Sequence, residues 1–365
     1  MTNYFSAKEL LEPPTDRAAF SDRQAYVCAE LSKLAYFKFE GGNTLDDLLS
    51  FAKEIFGDEP RFALLEQKIR SALTQSPSTA AEAEKALEVI LSEAGFTFLR
   101  AFSEQGTQAF ICTKKLPLKI GGDKTVAFLV FRGTEPKDFR DIKADINVSL
   151  VTEKIDGDEI ALHSGYLEAL RMVDGKINAS LEDLSPDQLF VTGHSLGGAL
   201  AILYTRIHAT STNGACYTYG APPVGAVEVQ YKLKTPVYEI INEFDIVPNL
   251  PHPMVGKILG WLLKGIRIVL KMFTVTARVL ASSSLDEKLE DYFDMLTRYR
   301  HPGYMSYLVG SDSDARLRYN LGTYDKIRMW FAIRGMGLSR FKKLAGDHAI
   351  DQYVNKLKAH ARNRN

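Results

Sequence analysis

A chain of 365 residues, 45% hydrophobic and 25% charged, has the length of one large domain or two ordinary ones and the composition of a globule with a sizeable core. Lysine plus arginine equals aspartate plus glutamate at 45 each, and that zero net charge removes the general electrostatic basis for nucleic-acid binding. Three widely spaced cysteines, Cys28, Cys112 and Cys216, with no C-x-x-C pair, argue against a disulfide framework or a zinc site and are expected as buried free thiols.

The N-terminus lacks a basic segment followed by an apolar one, so the expectation is a chain that is cytoplasmic, or exported without a cleavable signal peptide. Residues 1–95 read as a helical extension packed on the rest, with helices over Ala25–Tyr36 and Thr79–Glu93. A second unit, 96–365, opens with short strands at Phe96–Phe102 and Gln108–Thr113. Thr125–Arg132 follows as a continuous apolar run of the kind buried strands show. A helix at Tyr166–Val173, a strand at Gln188–Thr192, a helix at Gly197–Ile207 and strands at Ala215–Tyr219 and Val237–Asn242 come next. This alternation predicts an α/β fold with a mostly parallel central sheet flanked by helices. A helical insert over 254–294 interrupts it, before a strand at Tyr304–Val309 and a closing helix at Asp347–Ala359.

Val191-Thr-Gly-His-Ser195-Leu-Gly-Gly198 contains Gly-x-Ser-x-Gly between an apolar strand and a helix. A nucleophilic serine needs that sharp strand-to-helix turn, which lifts its oxygen clear of the sheet. Leu196, the residue after it, supplies a backbone N–H to a developing oxyanion. The serine also needs a histidine to take its proton and a carboxylate to hold that histidine's tautomer. Asp245, the first aspartate after Ser195, follows an apolar strand at the sheet edge where active sites collect; Glu239 and Glu243 are alternatives, but Glu239 lies within the strand. For the base, His252 sits between two prolines and His360 in a charged tail. The pattern leaves His301, heading a strand, and His348, at a loop end, nearly even. At the end of the apolar strand, Thr134 in Val130-Phe-Arg-Gly-Thr134 offers a second oxyanion donor.

Phe131-Arg-Gly-Thr134, Leu162-His-Ser-Gly-Tyr166, Gly193-His-Ser-Leu-Gly197, Tyr219-Gly-Ala-Pro-Pro-Val-Gly225 and Asp245-Ile-Val-Pro248 together resemble the class 3 lipase family, over roughly residues 95–360. The resemblance implies an α/β-hydrolase with Ser195 as nucleophile, Asp245 as acid and Thr134 in the oxyanion hole. It also implies His348 as the catalytic base. His301 matches a Tyr-x-His strand histidine that is not catalytic, and stands as the alternative base. His163 and His194 match family positions as packing and hydrogen-bonding residues around the site. The charged run 135–145 occupies the place of the family's lid.

The insert departs from the pattern. Between Asp245 and Asp286 there is no acidic residue, while Lys257, Lys264, Arg267, Lys271 and Arg278 punctuate an apolar background. At about 100° per residue these five fall within an arc of roughly 80°, a basic stripe on a broad apolar helix. Such a helix suits a membrane interface, although a helix burying its apolar face in its own core has the same pattern. Either 135–145 or 254–280 is then a lid candidate. A second basic stretch, Lys326–Lys343, extends that face or is a solvated helix.

The expectation is a serine hydrolase that cleaves carboxylic esters of lipids through an acyl-enzyme, with no cofactor and no metal. Its partners are a lipid ester substrate and a membrane or lipid-droplet interface, with no nucleic acid and no obligatory protein partner. A phospholipase A on anionic membranes and a non-catalytic lipid-binding protein are the alternatives.

Overall fold

In the computed structural model the described residues are 10–11, 18–36, 80–117, 122–133, 149–208, 214–245, 247–249, 295–319, 321 and 346–364. The strands are β1 (Thr97–Glu104), β2 (Thr107–Pro117), β3 (Asp123–Phe131), β4 (Leu150–Ile155), β5 (Asp158–His163), β6 (Gln188–His194), β7 (Ala215–Tyr219), β8 (Val237–Asn242), β9 (Tyr304–Val309) and β10 (Arg316–Arg318). The helices are α1 (Asp22–Leu34), α2 (Ala80–Glu93), α3 (Ser164–Leu184), α4 (Leu196–His208) and α5 (Ile350–Asn363).

Eight strands form one sheet in the order β1-β2-β3-β6-β7-β8-β9-β10. From β3 through β9 neighbours run parallel, and antiparallel pairs close both edges. This is the mostly parallel sheet of an α/β-hydrolase, and its central strands show why they read as unbroken apolar runs. Along β3, Val126, Phe128 and Val130 enter one core while Ala127, Leu129 and Phe131 enter the other. Both faces are dry, so period-two alternation in polarity disappears. Helices α1, α2 and α5 cover the first face, and α3 and α4 the second. Each large side chain buried this way contributes about 1.5–3 kcal/mol.

α1 lies deep in its layer. Every residue from Gln24 to Leu34 is buried, including Glu30 and Lys33, and Ser32 bonds Thr192 of β6 at 3.0 Å. Tyr219 of β7 donates to the carbonyl of Ala25 at 2.5 Å. The N-terminal segment therefore shares a core with the strand that delivers Ser195.

Several element bounds differ from the expected ones for physical reasons. α3 starts two residues earlier, because His163 caps it by accepting from Tyr166 N, and it ends eleven residues later at a left-handed Ser185. Gly175 does not break it, since Leu170, Val173, Ile177 and Leu181 continue one buried stripe past that point. α5 begins at Ile350 rather than Asp347, because Ala349 is extended. The β4–β5 hairpin was not expected from the sequence. Its turn is Asp156-Gly157, both at positive φ, which is the Asp-Gly signature of a tight hairpin. The insert 254–294, the lid candidate 135–145 and the stretch 326–343 lie outside the described residues. All three cysteines are free and buried, as expected.

Candidate active site

β6 carries the chain to Ser195 and α4 takes it away, so the serine sits at the carboxyl end of a central parallel strand. Its φ is +56°, a left-handed conformation that a non-glycine residue adopts only when the surroundings impose it. Ser195 N donates to Tyr219 O at 2.9 Å, and its carbonyl accepts from Gly198 N at 3.0 Å, which ties the turn to β7 and α4. A Cβ at Gly193 would strike the backbone of Gly197, and one at Gly197 would strike the Phe131 carbonyl. Those two glycines let strand, turn and helix approach backbone to backbone. Leu196 opens α4, where helix geometry leaves N–H groups without an intrahelical acceptor.

Asp245 lies just past β8, at the same sheet edge, and is buried. Its Oδ2 is 2.7 Å from His348 Nδ1 and accepts from Tyr353 OH at 2.5 Å. Its Oδ1 accepts from Val247 N at 2.9 Å. A carboxylate only accepts, so Nδ1 of His348 carries the proton and its Nε2 presents a lone pair when the ring is neutral. Burial first, then the Asp245 carboxylate, holds the Tyr353 phenol well above its ordinary pKa, so it stays a donor.

Asn242 clamps the same assembly. Its backbone N–H donates to Tyr353 OH at 3.0 Å, and its Nδ2 donates to the Asp347 carbonyl at 2.7 Å. Lys356 of α5 donates to its Oδ1 at 2.7 Å. The acid loop and the histidine segment are thus stitched together across more than 100 residues of sequence. Gly220, at φ +58°, lies against the Asp245–His348 pair. A Cβ there would lie 2.6 Å from Asp245 Oδ2 and 3.1 Å from His348 Cε1.

His194, the residue before the serine, packs its ring on that of His348, with centroids 4.6 Å apart. The strand that leads to Ser195, Asp245 and His348 therefore meet in one place. His301 does not join them. Its Nδ1 bonds Glu239 Oε2 at 2.6 Å and its Nε2 bonds the Pro248 carbonyl at 2.6 Å, while Glu239 also accepts from Gly303 N at 2.7 Å. Burial pulls the His301 pKa down, but Glu239 and the Pro248 carbonyl outweigh it, and the net shift is upward. His163 stacks on Tyr166 at 3.8 Å, and burial lowers its pKa to about 4, which fits a capping residue rather than a proton carrier.

Thr134 lies outside the described residues, as do Lys257, Lys264, Arg267, Lys271 and Arg278. The sequence reading gave no role to Tyr353, Asn242 or Tyr36. Tyr353 was within reach, because it ends the stretch His348-Ala-Ile-Asp-Gln-Tyr353. Tyr36 carries no local signal, since its partner is 158 residues away.

The fold and the serine turn define an α/β-hydrolase whose sheet edge gathers a serine, an aspartate and a histidine. Residues 128–254 match the family described as Lipase (class 3). A lipase of Rhizomucor miehei is 33% identical over 150 residues, covering 37% of this chain and 40% of that protein. A triacylglycerol lipase of Arabidopsis thaliana is 27% identical over 202 residues, covering 41% of this chain and 38% of that protein. The chain thus spans about two fifths of the length of these curated relatives. Among solved structures, the lipase of Rhizopus microsporus var. chinensis is 17% identical with a TM-score of 0.45, covering 87% of this chain and 86% of that one.

Proposed function

We propose that the chain is a lipid esterase of the triacylglycerol lipase type, working through Ser195, His348 and Asp245. The observation that carries this reading is the 2.7 Å pairing of a buried Asp245 with His348 Nδ1 beside a serine held at φ +56° on a strand-to-helix turn. In this reading Ser195 Oγ attacks the ester carbonyl carbon while its proton passes to Nε2 of His348. Asp245 holds the ring and stabilises its charged form. The negative charge on the carbonyl oxygen is taken by the Leu196 N–H and by Thr134. Collapse breaks the ester C–O bond, and the proton on His348 goes to the departing alcohol, leaving an acyl ester on Ser195. A water molecule, deprotonated by His348, then cleaves that ester and releases the carboxylic acid. The names of the relatives support a triacylglycerol as the substrate class.

The test is labelling with a fluorophosphonate ester followed by peptide mapping, with hydrolysis measured on a short-chain ester, a triacylglycerol emulsion and phospholipid vesicles. Label on Ser195 and turnover of the emulsion are expected. Absence of label, or label on another serine, would refute the assignment, and a preference for vesicles would replace lipase by phospholipase.

A further inference from the structure

Tyr36 and His194 take no part in the steps above, yet they form a continuous hydrogen-bonded line to His348. The Tyr36 hydroxyl, two residues beyond the end of α1, is 2.6 Å from Nδ1 of His194. Nε2 of His194 is 2.7 Å from the backbone carbonyl oxygen of His348. A carbonyl only accepts, so Nε2 carries the proton and donates it. Nδ1 is then the bare nitrogen of the neutral ring, and the Tyr36 hydroxyl donates to it. Every hydrogen along the line has one direction, set from the carbonyl outward.

Neutrality of His194 is secured by its surroundings. Burial first, then the nearby His348, pulls its pKa well below the ordinary histidine value, and the bond to the His348 carbonyl opposes this without reversing it. The Tyr36 hydroxyl also sits where three elements meet. A Cβ added at Gly133 would collide with that hydroxyl and with the His194 carbonyl, and would stand 3.3 Å from Ser195 Cβ. The end of β3, the serine turn and the end of α1 are therefore in contact at this point.

We infer that Tyr36 and His194 are positioning residues for His348: Tyr36 locks His194 in its Nε2–H tautomer, and His194 pins the His348 main chain and packs against its ring. The consequence is a fixed placement of the imidazole relative to Ser195. This rests on the reading of His348 as the base of Ser195.

The experiment uses the full-length chain with Tyr36→Phe, His194→Gln and His194→Leu, each checked for folding by circular dichroism and thermal melting. In long-range proton–nitrogen spectra, the parent His194 is expected as one Nε2–H tautomer and Tyr36→Phe as a mixture. On a soluble short-chain ester, Tyr36→Phe should lower kcat by about tenfold, because small misplacements of a general base are costly, up to about 100-fold. KM should stay within about twofold, because ground-state binding is untouched. His194→Gln keeps a donor for the His348 carbonyl and should be faster than His194→Leu. Tyr36→Phe should add nothing on top of His194→Leu, since both act along one line.

An unchanged tautomer in Tyr36→Phe, additive losses in the double variant, or losses that merely follow melting temperature would overturn the inference. The tautomer is read without turnover. Retained hydrolysis in a Ser195→Ala chain would thus refute the proposed function while leaving the Tyr36–His194 result separately readable.

Discussion

His348 is buried and paired with Asp245, and the half-buried His301 is paired with the buried Glu239. His301 commits both ring nitrogens to the protein, one to Glu239 and one to the Pro248 carbonyl, three residues past Asp245. It holds the acid loop in place from the outside. His348→Ala should therefore abolish hydrolysis in a folded protein. His301→Ala should cost about 3 kcal/mol of stability, as breaking a buried charge pair does, with kcat on the soluble ester reduced far less than in His348→Ala. Urea unfolding and a short-chain ester assay on both variants test this, and a stable but inactive His301→Ala chain would reverse the roles. The pH dependence follows from the upward shift at His301. Its unfolded value is about 6.5, so its stabilisation is complete below that pH and is lost as pH rises through the higher folded value. The stability gap between the parent and His301→Gln should accordingly narrow on going from acid to alkaline conditions.

Among the elements, those with a strong local signal were legible and those fixed by distant contacts were not. Ala215–Tyr219, Val237–Asn242 and Tyr304–Val309 were read to the residue, because their apolar runs stop at turn residues. The start of α3 was missed because its cap is a histidine, not a serine or aspartate. The serine turn was legible as a motif, but the Asn242 clamp was not, since the partners that tie it to the histidine segment, Tyr353, Asp347 and Lys356, lie more than 100 residues away. The end of β7 offers a direct check on this packing. Gly220→Ala puts a Cβ 2.6 Å from Asp245 Oδ2 in a left-handed conformation. The expected outcome is loss of most of the ester hydrolysis together with a strain penalty of about 1–3 kcal/mol, read by turnover and by thermal melting. Unaltered turnover would mean that the acid is not held as described.

At the level of the whole molecule, the N-terminal segment and the sheet share one core, so their separation by sequence position conceals a physical unit. α1 contributes Tyr26, Leu31 and Leu34 to the cluster that includes Tyr217 and Tyr219. Deletion of residues 1–36 should leave an insoluble or unfolded chain, scored by solubility and circular dichroism; a soluble, cooperatively folded remainder would contradict that. The basic stripe at Lys257, Lys264, Arg267, Lys271 and Arg278 is proposed as a membrane-docking face. Each basic residue near an anionic surface adds about 1 kcal/mol at physiological salt. Replacing Lys264, Arg267 and Lys271 by glutamine should weaken flotation with anionic liposomes and leave short-chain ester hydrolysis unchanged. Parallel loss of both would assign the stripe to the core.

The central claim is that Ser195 is the nucleophile of an ester hydrolase, and the rate of short-chain ester hydrolysis by purified Ser195→Ala protein tests it most directly. With the nucleophile gone, the rate should fall by several orders of magnitude, to a residue supplied by binding and the oxyanion donors alone. The far-ultraviolet spectrum and melting temperature should stay close to the parent's. A folded Ser195→Ala chain that hydrolyses the ester within about tenfold of the parent would contradict the account.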